Sequence, residues 1–173
     1  ILLLTYNAKL KLETREKVRT LGISNMEVHS YHSFCVKYYD STAYKDDVIL
    51  RLLDNDNIES KKPFQYDLII IDEAQDMNMN YYRLVIRIIK NMIDHPQIVI
   101  MGDYKQSIFD FNKADPRFLM FAHKIFNTGF EWITTTLSIS YRITHEMANL
   151  LNDGCCLTKK IYANRCGAKP NYI

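Results

Sequence analysis

Asp72 and Glu73 leave an apolar run, Leu68–Ile71, side by side, and carboxylates placed this way build a nucleotide-hydrolysing site. A short continuous run of this kind suits the centre of a parallel sheet covered on both faces, where alternation is not required. In open α/β sheets ligands bind outside the carboxyl ends of the strands, where these two side chains emerge. Magnesium prefers a few carboxylates plus water and phosphate oxygens, and a neighbouring carboxylate can orient an attacking water. Asp72 suits the metal and Glu73 the base. An isolated Asp-Glu pair equally suits the start of a helix, since Asp caps and acids favour a helix N-terminus. Other polar clusters also end apolar runs: Thr5-Tyr6-Asn7, Ser30-Tyr31-His32-Ser33, and Gly102-Asp103 with Gln106. Convergence of this kind on one sheet edge exceeds what folding alone requires.

The elements that position these residues follow from periodicity and caps. Residues 1–5 are a β-rich apolar run, and Asn7 caps a charged helix reaching Leu21, with Gly22 as its stop and Glu13 and Lys17 as an i,i+4 pair. Residues 28–31 are a short strand, followed by a helix through Tyr39, and a further helix spans residues 48–53. Leu84, Val85, Ile88, Ile89 and Met92 recur at helical spacing over residues 81–93. After the His95-Pro96 break come a strand at 98–101, another at 133–137, and a helix capped by Thr144 that runs through Leu151 and stops near Gly154. Strands alternating with helices imply an α/β fold with a doubly wound parallel sheet.

Composition narrows the function classes. With 173 residues and 47% hydrophobic content, the chain can bury a substantial core and is neither disordered nor a disulfide scaffold. A net charge of +2 carries no bulk signature of nucleic-acid binding, so such a site must be argued locally. Lys9, Lys11, Arg15, Lys17 and Arg19 read as a solvated helix face. Cys35, Cys155, Cys156 and Cys166 have no C-x-x-C spacing, and His29 and His32 have no second ligand pair. Free thiols, no apolar run long enough to span a membrane and no signal-peptide pattern point to a soluble protein of a reducing intracellular compartment, cytoplasm or nucleus, with a viral origin also open. The chain opens on Ile1, already inside a core strand, as expected for a piece of a longer protein.

The order of these segments resembles the UvrD/Rep-like superfamily 1 DNA helicases. Ile1-Leu2-Leu3-Leu4-Thr5-Tyr6-Asn7 resembles motif Ia, and Tyr31-His32-Ser33-Phe34-Cys35 the T-F/Y-H-S segment that follows it. Asp72-Glu73-Ala74-Gln75-Asp76 is similar to the family's Walker B motif, Gly102-Asp103-Tyr104-Lys105-Gln106-Ser107-Ile108-Phe109 to motif III, and Ser140-Tyr141-Arg142 to motif IV. The resemblance implies ATP and Mg²⁺ as cofactors, Asp72 as metal ligand, Glu73 as the residue activating water, and Gln106 as sensor of the γ-phosphate, with Asp103 beside it. It implies Arg142 reaching the γ-phosphate, where an always-charged guanidinium suits phosphoryl transfer, and Tyr141 stacking on adenine. It also implies that Tyr6, Tyr31, Phe109 and Phe111 stack on or pocket bases of single-stranded DNA, while Thr5, Asn7, His32 and Ser33 touch phosphate or sugar. Core packing is the competing role for each of these aromatics.

By the same resemblance the fold is a RecA-like P-loop NTPase sheet with helices on both faces. Residues 1–137 are expected to be a partial domain 1A, with a reduced 1B insertion near 36–63, and residues 138–173 the start of domain 2A. The sequence departs from the family in having no G-x-x-x-x-G-K-S/T, and no Gly in it is followed by Lys. Motifs V and VI are also missing. Ser140 replaces an asparagine, and Asn112-Lys113 stands where relatives carry Arg-Gly. The expectation is therefore a fragment of an ATP-dependent helicase or translocase of 3′ to 5′ polarity, inactive alone, acting on single-stranded or partially duplex DNA and completed by a longer parent chain. A degenerate or split-gene nucleic-acid binder without ATPase activity and the helicase part of a helicase-nuclease fusion are the alternatives.

Overall fold

The computed structural model describes residues 1–55, 58–107, 113–155, 157 and 159–168. They fall into two compact units, Ile1–Phe130 and Glu131–Ile173.

In the first unit the order is β1 (Leu2–Thr5), α1 (Ala8–Thr20), β2 (Glu27–Ser30), α2 (Tyr31–Tyr38), α3 (Asp46–Asp54), β3 (Leu68–Ile71), α4 (Met79–Lys90), β4 (Gln97–Ile100), α5 (Arg117–Met120) and α6 (Ala122–Ile125). Single 3₁₀ turns at Ala74–Asp76 and Tyr104–Gln106 follow β3 and β4. The four strands form one parallel sheet in the order β2-β1-β3-β4, with helices on both sides, as the alternating pattern required. In register, Leu3 pairs with Val28 on one side and Ile70 on the other, and Ile70 pairs with Val99. From β1 the chain steps one way to β2 and the other way to β3. The switch point of this sheet therefore lies between the carboxyl ends of β1 and β3.

Caps fix where the helices begin. Asn7 Oδ1 accepts the Leu10 N–H at 2.8 Å and opens α1, and the chain leaves it through Gly22 at φ 67°, a left-handed turn that suits glycine. Ser30 and Ser33 form a reciprocal capping box, which starts α2 at Tyr31, one residue earlier than the strand pattern at 28–31 suggested. Asn78 caps α4, so that helix spans Met79–Lys90 and not 81–93. On α1, Glu13 pairs backwards with Lys9 at 3.9 Å and not forwards with Lys17.

The core lies between the sheet and α2, α3 and α4. Leu2, Leu4, Ile69 and Ile71 are sealed, together with Phe34, Ile49, Leu52, Leu84 and Ile88. The other face of β3 is less covered than its apolar run implied: Leu68 and Ile70 are half-buried, and beyond them Val99 is 40% and Met101 39% exposed. Beside β2 a polar network closes the core. Glu27 accepts hydrogen bonds from Lys37 Nζ at 2.6 Å, Tyr38 Oη at 2.9 Å and Tyr66 Oη at 3.1 Å.

The second unit contains β5 (Ile139–Ser140), α7 (His145–Gly154) and β6 (Tyr162–Ala163), with β5 and β6 parallel. Thr144 caps α7 as expected. The strand expected at residues 133–137 is absent: Ile133 and Leu137 are 88% and 92% exposed, and the short pairing that does form begins at Ile139. An apolar run without a partner strand has nothing to satisfy its backbone, so its side-chain pattern alone does not make a strand.

Candidate nucleotide site at the sheet switch point

The apolar run of β3 ends at Ile71, and the next peptide still belongs to the ladder, since Asp72 N–H donates to Leu4 O at 3.0 Å. Asp72 Oδ1 then accepts the Glu73 N–H at 3.0 Å. Glu73 adopts φ 53° and ψ 43°, a left-handed conformation that costs a non-glycine residue about 1 to 2 kcal/mol. That turn breaks the strand and begins the 3₁₀ segment, and Ala74 N–H returns to Met101 O at 2.9 Å, tying the end of β3 to the end of β4. Strain at a carboxylate on a sheet edge is the kind of local cost that functional sites carry.

The electrostatics are those of crowded acids. Burial, and secondly the charge of Glu73, push the Asp72 carboxyl above its ordinary range, against the opposing bond from the Glu73 N–H. Burial followed by the Glu73 charge raises Asp76 as well. A half-buried carboxylate with raised proton affinity suits a divalent cation, whose charge relieves both causes, so Asp72 fits as the residue that would hold Mg²⁺. Among the described residues no group of three or more His, Cys, Asp or Glu could hold a metal unaided. Magnesium bound beside a nucleotide needs only one or two carboxylates, the rest being phosphate and water.

A cavity of about 360 Å³ opens at this edge, lined by Tyr6, Asn7, Lys9, Glu73, Asp76 and Gln106 among others. It joins the ends of β1, β3 and β4 in one space of the size that small ligands occupy. Gln106 Nε2 donates to Asp103 Oδ2 at 3.0 Å, and Asp103 Oδ1 caps the turn through Lys105 N–H at 3.0 Å. A larger cavity, about 620 Å³, lies beside β2 and is lined by Arg15, Val18, Met26, Glu27, His29 and Lys37 among others. Glu27, His29 and Lys37 in it already bond one another, whereas the smaller space gathers the acids Glu13, Glu73 and Asp76.

The residues expected to touch nucleic acid divide. Tyr6 lines the cavity, its ring edge-on to Tyr81 with centroids 6.2 Å apart. Asn7 lines it too, with Oδ1 committed to its cap, leaving the amide nitrogen as the end suited to donate to phosphate. Thr5 and Tyr31 are corrected by their burial, 0% and 1% exposed. Tyr31 stacks on Tyr81 at 4.2 Å and 4°, so its ring has no face for a base, and Thr5 Oγ1 turns inward to Asn7 O at 3.3 Å. His32 Nε2 lies 3.0 Å from Asp46 Oδ1, which also accepts the Tyr81 hydroxyl at 2.9 Å, and Ser33 serves as the α2 cap. Phe109 and Phe111 lie outside the described residues. In the second unit Tyr141 is 75% exposed, Ser140 Oγ accepts the Arg142 N–H at 3.3 Å, and Arg165 donates to Arg142 O. Ser140, a departure from the motif, is thus the side chain that shapes the turn presenting Tyr141 and Arg142.

Two further residues have no role in the motif reading. Gln75, 2% exposed, donates through Nε2 to Glu73 Oε2 at 2.6 Å and accepts the Asp103 N–H through Oε1 at 3.1 Å. Gly102 leaves it room. The signal in the sequence was a glycine ending an apolar strand where no turn demands one.

The model of the UvrD/REP helicase N-terminal domain matches residues 46–127, which hold β3, β4 and the acids between them. The chain is 28% identical over 102 residues to the RecBCD enzyme subunit RecB of Chlamydia trachomatis, covering 58% of this chain and 10% of that protein. It is 31% identical over 84 residues to an ATP-dependent helicase/nuclease subunit of Clostridium perfringens (44% and 6%), and 29% identical over 104 residues to the corresponding protein of Oenococcus oeni (59% and 8%). It thus spans about a tenth or less of the length of these relatives. The motif order, the parallel sheet with its acids at the switch point, and these matches agree: the chain is similar to the UvrD-like helicases, and its residues 46–127 match their N-terminal domain.

Proposed function

We propose that this chain is part of the motor of an ATP-dependent DNA helicase or translocase, moving 3′ to 5′ along single-stranded DNA. The carrying observation is that Glu73 and Gln106 line one cavity at the switch point, with Asp72 immediately behind Glu73. Glu73 would take a proton from the attacking water, and Asp72 would hold Mg²⁺. Bound there, the cation would neutralise charge developing on the phosphates. Gln106, a neutral amide, would donate to the γ-phosphate without stranding a charge, and its present bond to Asp103 is the contact it would exchange. By the motif resemblance Arg142 would reach the γ-phosphate and Tyr141 the adenine, with closure of two RecA-like domains coupling hydrolysis to movement. Tyr6 and Asn7, on the rim of the cavity, would link it to the strand, with Phe109 and Phe111 stacking on bases.

The half-covered face of β3 and β4 favours a longer parent chain, since Ile70, Val99 and Met101 form an apolar surface that further polypeptide would cover. That chain would supply the phosphate cradle and motifs V and VI, and the domain division expected at 137/138 belongs to the same proposal. The names of the relatives leave room for a nuclease in the same protein. A second reading, a nucleic-acid binder without hydrolysis, is favoured by the lack of any Gly-Lys pair in the sequence. Single-strand-stimulated ATP hydrolysis, comparing this polypeptide with a form extended to its natural ends, separates the two. Activity confined to the extended form supports the motor, and inactivity of both supports the binder.

A further inference from the structure

Glu73 sits in a left-handed turn outside any helix or strand, so regular structure does not fix the direction of its side chain. What fixes it is Gln75. The amide of Gln75 is buried and engaged at both ends, by Glu73 Oε2 at 2.6 Å and by the Asp103 N–H at 3.1 Å. Its orientation is forced, because a backbone N–H can only donate and a carboxylate can only accept. Asp103 continues the chain, its Oδ2 accepting Gln106 Nε2 at 3.0 Å. Two loops, one after β3 and one after β4, are thereby joined through a single side chain.

We propose that Gln75 is a positioning residue: it holds the Glu73 carboxylate in the cavity and ties it to the Asp103–Gln106 loop, so that a ligand drawing on Gln106 also moves Glu73. This rests on the reading of Glu73 as the base. Glutamine meets both demands where side chains of similar length do not. Glutamate would oppose a second carboxylate at hydrogen-bond distance, lysine has no acceptor for the Asp103 N–H, and methionine serves neither end.

Two variants separate the ends of the amide. Gln75→Met loses both bonds, whereas Gln75→Glu keeps an acceptor for Asp103 and loses the donor to Glu73. In this polypeptide, amide hydrogen exchange at Asp103 should quicken at least about tenfold in Gln75→Met and stay protected in Gln75→Glu, with the Ile71 amide unchanged in both. Unaltered Asp103 exchange in Gln75→Met would overturn the tie between the loops. In the form that hydrolyses ATP, both variants should lower kcat on the order of 10²-fold at unchanged KM. A loss expressed in KM alone would overturn positioning. If the wild type shows no hydrolysis, the reading of Glu73 as base fails, and the exchange result alone decides whether Gln75 joins the loops.

Discussion

A Cβ on Gly102 would stand 2.3 Å from Gln75 Oε1 and 3.1 Å from the Ala74 backbone nitrogen. Gly102 is thus the space in which the Gln75 amide lies, and the two residues come from the ends of adjacent strands. Gly102→Ala should destabilise the protein by about 1 to 3 kcal/mol, because a buried amide and a backbone atom must both shift. Urea denaturation measures this, and an unchanged midpoint would mean that the loops yield freely.

Tyr31 and Tyr6 should respond oppositely to truncation. Tyr31→Ala removes a sealed ring stacked on Tyr81 and should cost about 3 to 5 kcal/mol of folding stability. Tyr6→Ala, on the cavity rim, should cost less stability and weaken single-strand binding by about 1 to 3 kcal/mol. Fluorescence anisotropy with a labelled oligonucleotide, beside denaturation curves, distinguishes them. A DNA-affinity loss for a folded Tyr31→Ala, with none for Tyr6→Ala, would reverse the assignment.

Stability should fall in acid, from two groups on β2. Burial lowers His29 to about 4 from its ordinary 6.5, with Arg15 and Lys37 adding to the effect against a hydrogen bond to Glu27. The unfolded chain therefore binds this proton more readily, so the contribution of His29 is complete above pH 6.5 and lost as pH falls to about 4. Burial raises the Glu27 carboxyl, but bonds from Lys37, Tyr38 and His29 outweigh it and hold the group down at about 2. Its contribution is present above 4.5 and lost toward pH 2. Chemical denaturation across this range should show a decline whose upper part disappears in His29→Gln. A decline unaltered by that substitution would contradict the assignment.

Asp72 behaves in the reverse sense. Its carboxyl is raised, so its ionised form disfavours the fold, and that penalty is relieved as pH falls below the raised value. Asp72→Asn should therefore be more stable than wild type near neutral pH, the pattern of a residue kept for function. Reduced stability in a thermal melt would make Asp72 structural.

The parallel sheet, the caps at Asn7 and Thr144, and the carboxylates after β3 were legible because each rests on local pattern: an apolar run, a capping residue, acids at a strand end. Tyr31 was not, because a surface aromatic and a core aromatic look alike until the partner, here Tyr81 fifty residues along the chain, is known. The strand expected at residues 133–137 failed for the same reason, lacking a partner that the sequence does not name. The α5 and α6 turns are too short to show a period. Gln75 lay inside the most conspicuous motif and still went unassigned, since its partners are set by how β3 and β4 end side by side.

The role of Glu73 is tested most directly by ATP turnover in the form extended to its natural ends, wild type against Glu73→Gln, with single-stranded DNA present. The expected result is DNA-stimulated hydrolysis by the wild type, and in Glu73→Gln its abolition with ATP binding retained. Hydrolysis persisting in Glu73→Gln would contradict the assignment of Glu73 as the base and, with it, the motor built around that residue.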